Sequence, residues 1–168
     1  MSPEESEPVV DSELVAERPA TAAAARPAHL SVGNIALVAA GGAFGTGLRY
    51  GLMLIMPPAY GIPVAILTVN LVGAFVLGAL LETLSELGPD HGTSRRLRLG
   101  VGTGVLGGFT TYSALADDTV LLALTSPLLA LGYSVSTVII GGLTSIAGIA
   151  LARRLIRPQL RKRMAVAS

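Results

Sequence analysis

The residues best suited to chemistry lie in one glycine-rich stretch, residues 100–113, with the sequence GVGTGVLGGFTTYS. Five glycines in nine residues, followed by Thr110 and Thr111, make a poor helix, because each glycine costs about 1 kcal/mol relative to alanine. Where a membrane helix unwinds, its backbone carbonyls become good ligands for a small hard cation. The alternative is a continuous helix with a glycine-rich packing face.

Two isolated polar residues interrupt otherwise apolar stretches. Arg49 is the only charge in the first of them, and it either extends toward a membrane surface or attracts anions at a pore vestibule. Asn70 lies in the middle of the second, within TVNLVGAF. An amide there either joins two helices or lines an anion path, where its N–H donates without a charge that would trap the ion.

Other residues offer weaker signals of the same kind. Tyr133, Thr137 and Gly141 recur at four-residue spacing, hence on one helical face. Their hydroxyl groups could coordinate an ion or bond their own backbone carbonyls. The adjacent pair Asp117 and Asp118 is expected to end the third apolar stretch as solvated charges.

Spaced glycines in the first apolar stretch predict close helix packing. They form two small-xxx-small pairs, which let helix backbones approach each other: Gly41 with Gly45, and Gly47 with Gly51.

Enzymatic chemistry is not expected from this composition. The chain has no cysteine, and its two histidines, His29 and His91, lie in polar connecting sequence. Thiolate chemistry is therefore excluded, and no credible nucleophile and base pair lies in the apolar stretches.

The elements that must position these residues are membrane helices. Of 168 residues, 51% are hydrophobic and 14% are charged, whereas a soluble domain is about 25% charged. A helix spans the bilayer with about 20 apolar residues. The sequence lacks the alternation of apolar and polar residues that a membrane β-barrel requires, so helices are expected. The sequence predicts an all-α membrane protein of four transmembrane helices with the third one broken, at about residues 33–56, 62–84, 98–123 and 127–152.

The polar ends of the chain are predicted to be tails that precede and follow a transmembrane domain at 31–155. Residues 1–30 are acidic and then rich in alanine and proline, which predicts a disordered tail, and residues 156–168 form a basic tail. Of the twelve Lys and Arg residues, two lie in the N-terminal tail, three in the second connection and six in or next to the C-terminal tail. The first and third connections have none, so both termini are predicted to be cytoplasmic at the cell membrane.

At these positions the sequence resembles the CrcB/Fluc family of small fluoride channels. The resemblance covers residues 33–155 and is carried by GGAFGTGLRY, TVNLVGAFVLG and GVLGGFTTYS, in that order. It implies a passive fluoride-specific channel, in which two four-helix subunits associate in opposite orientations and form two pores along their interface. It also implies a structural sodium ion, held at the dimer centre by backbone carbonyls of the broken third helix.

Carried over by position, the resemblance assigns roles to individual residues. The carbonyls of Gly107 and Thr110 would bind sodium, and Arg49 would lie in a vestibule. The fluoride path would be lined by a further set of side chains: Asn70, Tyr112, Ser113, Tyr133 and Thr137.

Three positions depart from the family pattern, and the charge distribution adds a further observation. Tyr112 and Leu115 stand where the family has phenylalanines, and Ile66 stands where it has a threonine. Leucine lacks an electropositive ring edge, so one pore is expected to be impaired. A subunit that inserts both ways should show almost no Lys/Arg bias; this chain is therefore expected to insert one way and to pair with a differently charged paralogue.

Two other classes compete with a channel. A small four-span secondary transporter of the multidrug type has a similar size, but such proteins need a membrane-embedded carboxylate, and Glu82, Asp117 and Asp118 lie near the predicted span ends. A purely structural membrane subunit would have little use for a broken glycine and threonine helix.

Overall fold

The computed structural model describes residues 31–59, 61–86 and 92–167. The predicted N-terminal tail at 1–30, which includes His29, lies outside these residues, as does His91. Over the described ranges the chain is helical, with no β-strand beyond one isolated bridge between Ala59 and Ile62.

Six α-helices and one π-helical segment follow in order. They are α1 (Val32–Ile55), α2 (Val64–Glu86), α3 (Gly92–Leu97), the π-helical segment (Arg98–Leu106), α4 (Gly107–Phe109), α5 (Tyr112–Thr125) and α6 (Pro127–Ala167). Of these, α1, α2 and the part of α6 from Pro127 to Pro158 are long and apolar enough to cross a membrane. The predicted basic tail after residue 155 continues α6 as helix up to Ala167.

The third apolar stretch is not one helix. Residues 92–109, here called the first half, run without a gap through α3, the π-helical segment and α4. Thr110, with ψ of 153°, and Thr111, with φ of −150°, are then extended. Helix α5 forms the second half. Thr111 Oγ1 accepts a hydrogen bond from the Ala114 N–H at 3.2 Å, which caps the start of α5 as threonine commonly does.

Within the stretch 100–113 that was predicted to contain the break, the glycines themselves remain helical. Helix α1 lies directly against them, and a methyl group on Gly108 would overlap the Gly42 carbonyl oxygen. A methyl group on Gly41 or Gly45 would meet the carbonyl oxygens of Gly100 and Val105 closer than van der Waals contact allows. Tertiary packing thus outweighs the low helix propensity of glycine, and the chain unwinds only after the run ends.

The glycine pairs of α1 do not all have this role. Gly41 and Gly45 are packing positions, as predicted, whereas no atom of another described element lies within 4 Å of the place where a side chain of Gly47 or Gly51 would begin. A similar contact joins α2 and α6, since a methyl group on Gly148 would overlap the Phe75 carbonyl oxygen. The described helices therefore form two close pairs, α1 with the first half and α2 with α6.

Replacing Gly45 by alanine is expected to destabilise the protein by about 1–3 kcal/mol, because the added methyl group meets backbone atoms that no rotamer change can move. Gly47→Ala is the matched control on the same helix, since its methyl group would enter open space. The midpoint of thermal unfolding in detergent measures both. Equal midpoints for the two variants would contradict the close contact between α1 and the first half.

Two ion pairs join the ends of α2 and α6. Arg153 Nε lies 2.7 Å from Glu82 Oε1, and Arg157 Nε lies 3.0 Å from Glu86 Oε1. Both pairs connect residues 71 apart in sequence, so they fix one register of the two helices. Because both arginines are exposed to solvent, the pairs contribute little to stability, and their main effect is on alignment.

Candidate functional site

The extended residues Thr110 and Thr111 are held in place from α2 by one side chain. Asn70 Nδ2 donates to the Thr111 carbonyl at 3.0 Å, and Asn70 Oδ1 accepts from the Thr111 N–H at 2.8 Å. Thr111 is 7% exposed. A buried, extended residue has no helical partners for its backbone groups, and the amide supplies both a donor and an acceptor.

This pairing changes the bonding of the preceding turn. In an unbroken helix the Thr111 N–H would donate to the Gly107 carbonyl, four residues earlier. Here it donates to Asn70 instead. Gly107 is exposed, and among the described residues outside its own helix no atom lies within 4 Å of the position that a side chain would take there. The Gly107 carbonyl has therefore lost its helical donor at a residue on an open face of the chain.

A groove of about 310 Å³ runs beside the interruption. We call it the central groove. Its lining includes several predicted path residues and Thr110: Asn70, Thr110, Tyr112 and Thr137. Tyr112 is 81% exposed, so its ring lies at the open side of this groove. The structure brings these residues together from α2, the extended interruption, α5 and α6.

Arg49 lies at a second, smaller cavity of about 270 Å³ on the other side of α5. Its lining combines Thr46 and Arg49 of α1 with Ser113 and Asp117 of α5. Ser113 Oγ lies 3.1 Å from Thr111 Oγ1. The structure thus separates Ser113 from Tyr112, because neighbouring residues of α5 face the two cavities.

The predicted hydroxyl stripe on α6 is largely bonded within the chain. Thr137 Oγ1 donates to the Tyr133 carbonyl at 2.7 Å, as a helical threonine often does. Tyr133 is 5% exposed and donates through its hydroxyl to Asp118 Oδ2 at 3.4 Å. Thr137 borders the central groove, whereas Tyr133 belongs to the apolar core between the helices.

Asp117 and Asp118 lie inside α5, which continues as helix to Thr125. That they mark the outer end of the third span stays a prediction. Asp118 is half-buried and has a hydrogen-bond partner in Tyr133, which explains how a carboxylate is tolerated there. Asp117 is exposed and faces the cavity that contains Arg49.

Two of the three residues that depart from the family pattern, Ile66 and Leu115, lie in one cluster. Ile66 and Leu115 are 2% and 6% exposed, and both pack with Tyr133 in the same apolar core. Leu115 also borders the central groove. An apolar pair therefore occupies the place where the family pattern would put a hydroxyl group and an aromatic ring.

Several residues at the site were not singled out in the sequence. Thr46 Oγ1 donates to the Gly108 carbonyl at 3.3 Å, and the Leu106 carbonyl accepts from both the N–H and the hydroxyl of Thr110, each at 2.9 Å. Thr111 could have been recognised as a helix cap, because a threonine directly precedes the helical run. Thr46 and Leu106 carry no comparable local signal.

Long apolar helices and a set of polar groups gathered around a helix interruption together define a small multi-pass membrane protein. The family model described as CrcB-like protein, Camphor Resistance (CrcB) matches residues 36–149. The chain therefore belongs to the CrcB-like family.

Similar proteins named as fluoride channels support this assignment. A protein of Leifsonia xyli subsp. xyli, named fluoride-specific ion channel FluC 2, is 48% identical over 126 residues, covering 74% of this chain and 87% of that one. One of Caulobacter vibrioides, named fluoride-specific ion channel FluC, is 38% identical over 126 residues, covering 72% and 96%. One of Cutibacterium acnes, named fluoride-specific ion channel FluC 1, is 52% identical over 85 residues, covering 50% and 59%.

Proposed function

We propose that this chain is a subunit of a fluoride-specific channel that lets fluoride leave the cell passively and so lowers its concentration in the cytoplasm. The observation that carries the proposal is family membership combined with the site: the matched region contains the interruption at Thr110 and Thr111 and the amide of Asn70 that holds it. The relatives that match over most of the chain are named as fluoride channels.

The four-span arrangement is part of this proposal. Three helices are long enough to span the membrane on their own. The first half and α5 together would form the remaining span, which is third in chain order, with the extended residues inside the membrane. Backbone groups within a bilayer must be satisfied, and Asn70 satisfies both groups of Thr111. Both termini then lie on the cytoplasmic side, where the arginines of the second connection and of α6 are concentrated.

A structural sodium ion fits the groups present at the interruption. Gly107 and Thr110 would offer backbone carbonyls, of which the first has lost its helical donor and lies on an open face. Among the described residues no group of three or more His, Cys, Asp or Glu could hold a metal, so carbonyl ligation is the arrangement that this site allows. A bound sodium ion would supply a fixed positive charge that favours anions nearby.

One chain alone does not complete such a site. Hard cations take several oxygen ligands, and the two carbonyls of one chain leave the open face uncovered. A second subunit in the opposite orientation would double the set and enclose the central groove. The second subunit is proposed to be a paralogue, because the Lys and Arg bias favours one insertion; two relatives carry the numbered names FluC 1 and FluC 2, which agrees with paired chains.

Within this pair, the described side chains have separate tasks. Arg49 would attract fluoride at a vestibule, and Asn70, Tyr112 and Thr137 would line the central groove through which it passes. Ser113 would face the Arg49 cavity, at the entrance side of α5. Tyr133 would support Thr137 from the core, since the Tyr133 carbonyl holds the Thr137 hydroxyl.

The test is fluoride efflux from liposomes that contain the chain with a second, oppositely biased family member. Efflux should be recorded with a fluoride electrode and compared with chloride efflux under the same gradient. Fluoride release without chloride release is the expected result. Equal release of both ions, or release of neither, would contradict a fluoride-specific channel.

A small proton-coupled transporter of the multidrug type is the second candidate, and Asp118 is the observation in its favour. It is a half-buried carboxylate inside α5 with a hydrogen bond to Tyr133, and coupled transporters need such a group. For a passive channel, Asp118→Asn should leave fluoride flux unchanged, because the amide oxygen can still accept from Tyr133. Loss of flux in this variant, together with dependence on an imposed pH gradient, would favour the transporter.

A further inference from the structure

Helix α2 faces the interruption with two residues one turn apart. Asn70 holds Thr111, as described above, and Gly73 is buried against Thr110. A methyl group on Gly73 would overlap the Thr110 Cγ2 atom and would lie 3.4 Å from Phe109 Cδ1. The absence of a side chain at residue 73 therefore makes the space that the Thr110 methyl group fills.

The Thr110 side chain cannot easily turn away from this space. Its hydroxyl donates to the Leu106 carbonyl at 2.9 Å, which directs the oxygen back along the first half and leaves the methyl group toward Gly73. A β-branched side chain has few χ1 alternatives. A larger residue at 73 would therefore move Thr110 as a whole, including its backbone, or break the bond to Leu106.

We propose that Gly73 is a positioning residue, which fixes Thr110 and thereby the direction in which the Thr110 carbonyl points. The inference rests on the proposed function, because it concerns a carbonyl proposed to bind sodium. It distinguishes Gly73 from the packing glycines Gly45 and Gly148, whose nearest neighbours are backbone atoms of a facing helix. Gly73 contacts the extended residue itself.

The first test measures sodium dependence of fluoride flux in Gly73→Ala. The full-length chain is reconstituted in liposomes, with its second subunit where flux requires one, and sodium is varied on both sides. The sodium concentration for half-maximal flux is expected to rise by about 10- to 100-fold, the usual effect of disturbing a residue that orients a metal ligand. Gly142→Ala on α6 is the control, since a methyl group there meets no atom of the other described helices within 4 Å.

A second substitution separates positioning from a general folding defect. Thr110→Ser keeps the hydroxyl that bonds Leu106 and removes the methyl group that an alanine at 73 would displace. The double variant Gly73→Ala, Thr110→Ser should therefore regain most of the sodium affinity lost in Gly73→Ala. A double variant as impaired as Gly73→Ala would overturn the proposal, because a folding defect in α2 would not be repaired by a smaller residue 110.

Amide hydrogen exchange supplies a readout that does not need flux. In the detergent-solubilised protein, Gly73→Ala should speed exchange in the peptide covering residues 107–112 and leave the rest of α2 unchanged, and Thr110→Ser should reverse the effect. If the unmodified protein conducts no fluoride with its partner, the proposed function fails, yet this pattern of exchange would still support the positioning of Thr110. Unchanged exchange in Gly73→Ala would overturn it even in a conducting channel.

Discussion

Reconstituted alone in liposomes, this chain is expected to release fluoride no faster than the leak of protein-free vesicles. The first reason is its orientation. Apart from Arg49, every Lys and Arg lies in the tails, the second connection or the end of α6, and the positive-inside rule then favours a single insertion. An antiparallel pair needs a chain inserted the other way, so flux should appear only with a partner whose charge bias is reversed.

The second reason lies in the packing around the central groove. Ile66 and Leu115 occupy family positions for a threonine and a phenylalanine, and both are buried in one core with Tyr133. They offer a desolvated fluoride ion neither a hydroxyl group nor an electropositive ring edge. Even two copies of this chain that met in opposite orientations would therefore have both pores built from the same deficient set.

Single cysteines can test the orientation directly, because the chain has no cysteine of its own. Thr93→Cys, at the start of the first half, should react with an impermeant maleimide only from the cytoplasmic side. Ala59→Cys, in the connection between α1 and α2, should react only from the outside. Labelling of either position from both sides, or robust fluoride efflux from the single chain, would rule out the requirement for a paralogue.

These predictions show how far a sequence alone specifies the site. The apolar stretches locate α1, α2 and α6 because burial in lipid depends on composition, which is local. The predicted break within residues 100–113 contains Thr110 and Thr111, where the chain is extended. The sequence does not indicate that the glycines before them stay helical, because their packing against Gly41 and Gly45 joins residues far apart in the chain.

Asn70 shows that the contacts of a candidate functional residue are also only partly predictable from the sequence. Its place in an apolar stretch predicts that its amide must be hydrogen-bonded. Its partner is the backbone of a residue 41 positions later, and local spacing holds no information about such a pairing. The hydrogen bond from the Tyr133 hydroxyl to Asp118 likewise joins two helices, and local spacing does not predict it.

Replacing Asn70 by leucine is expected to lower fluoride flux about 100-fold. Leucine is close to asparagine in size but leaves the N–H and carbonyl of the buried Thr111 without partners, at about 1–3 kcal/mol each. A total near 3 kcal/mol corresponds to about 100-fold in the population of the ordered interruption. Thr68→Val is the matched control, since Thr68 Oγ1 bonds only to the Val64 carbonyl of its own helix at 2.8 Å among the contacts of the described residues.

The effect of this substitution also separates two roles of the amide. As a donor on the fluoride path, Asn70 would use an N–H toward the central groove; as the holder of the interruption, it uses one N–H and its oxygen at Thr111. An amide has two N–H donors, so one side chain can serve both. If only the path role mattered, Asn70→Leu would reduce flux while hydrogen exchange at residues 107–112 stayed at the unmodified rate. Faster exchange there is the expected result, because the N–H of Thr111 loses its acceptor before any ion enters the groove.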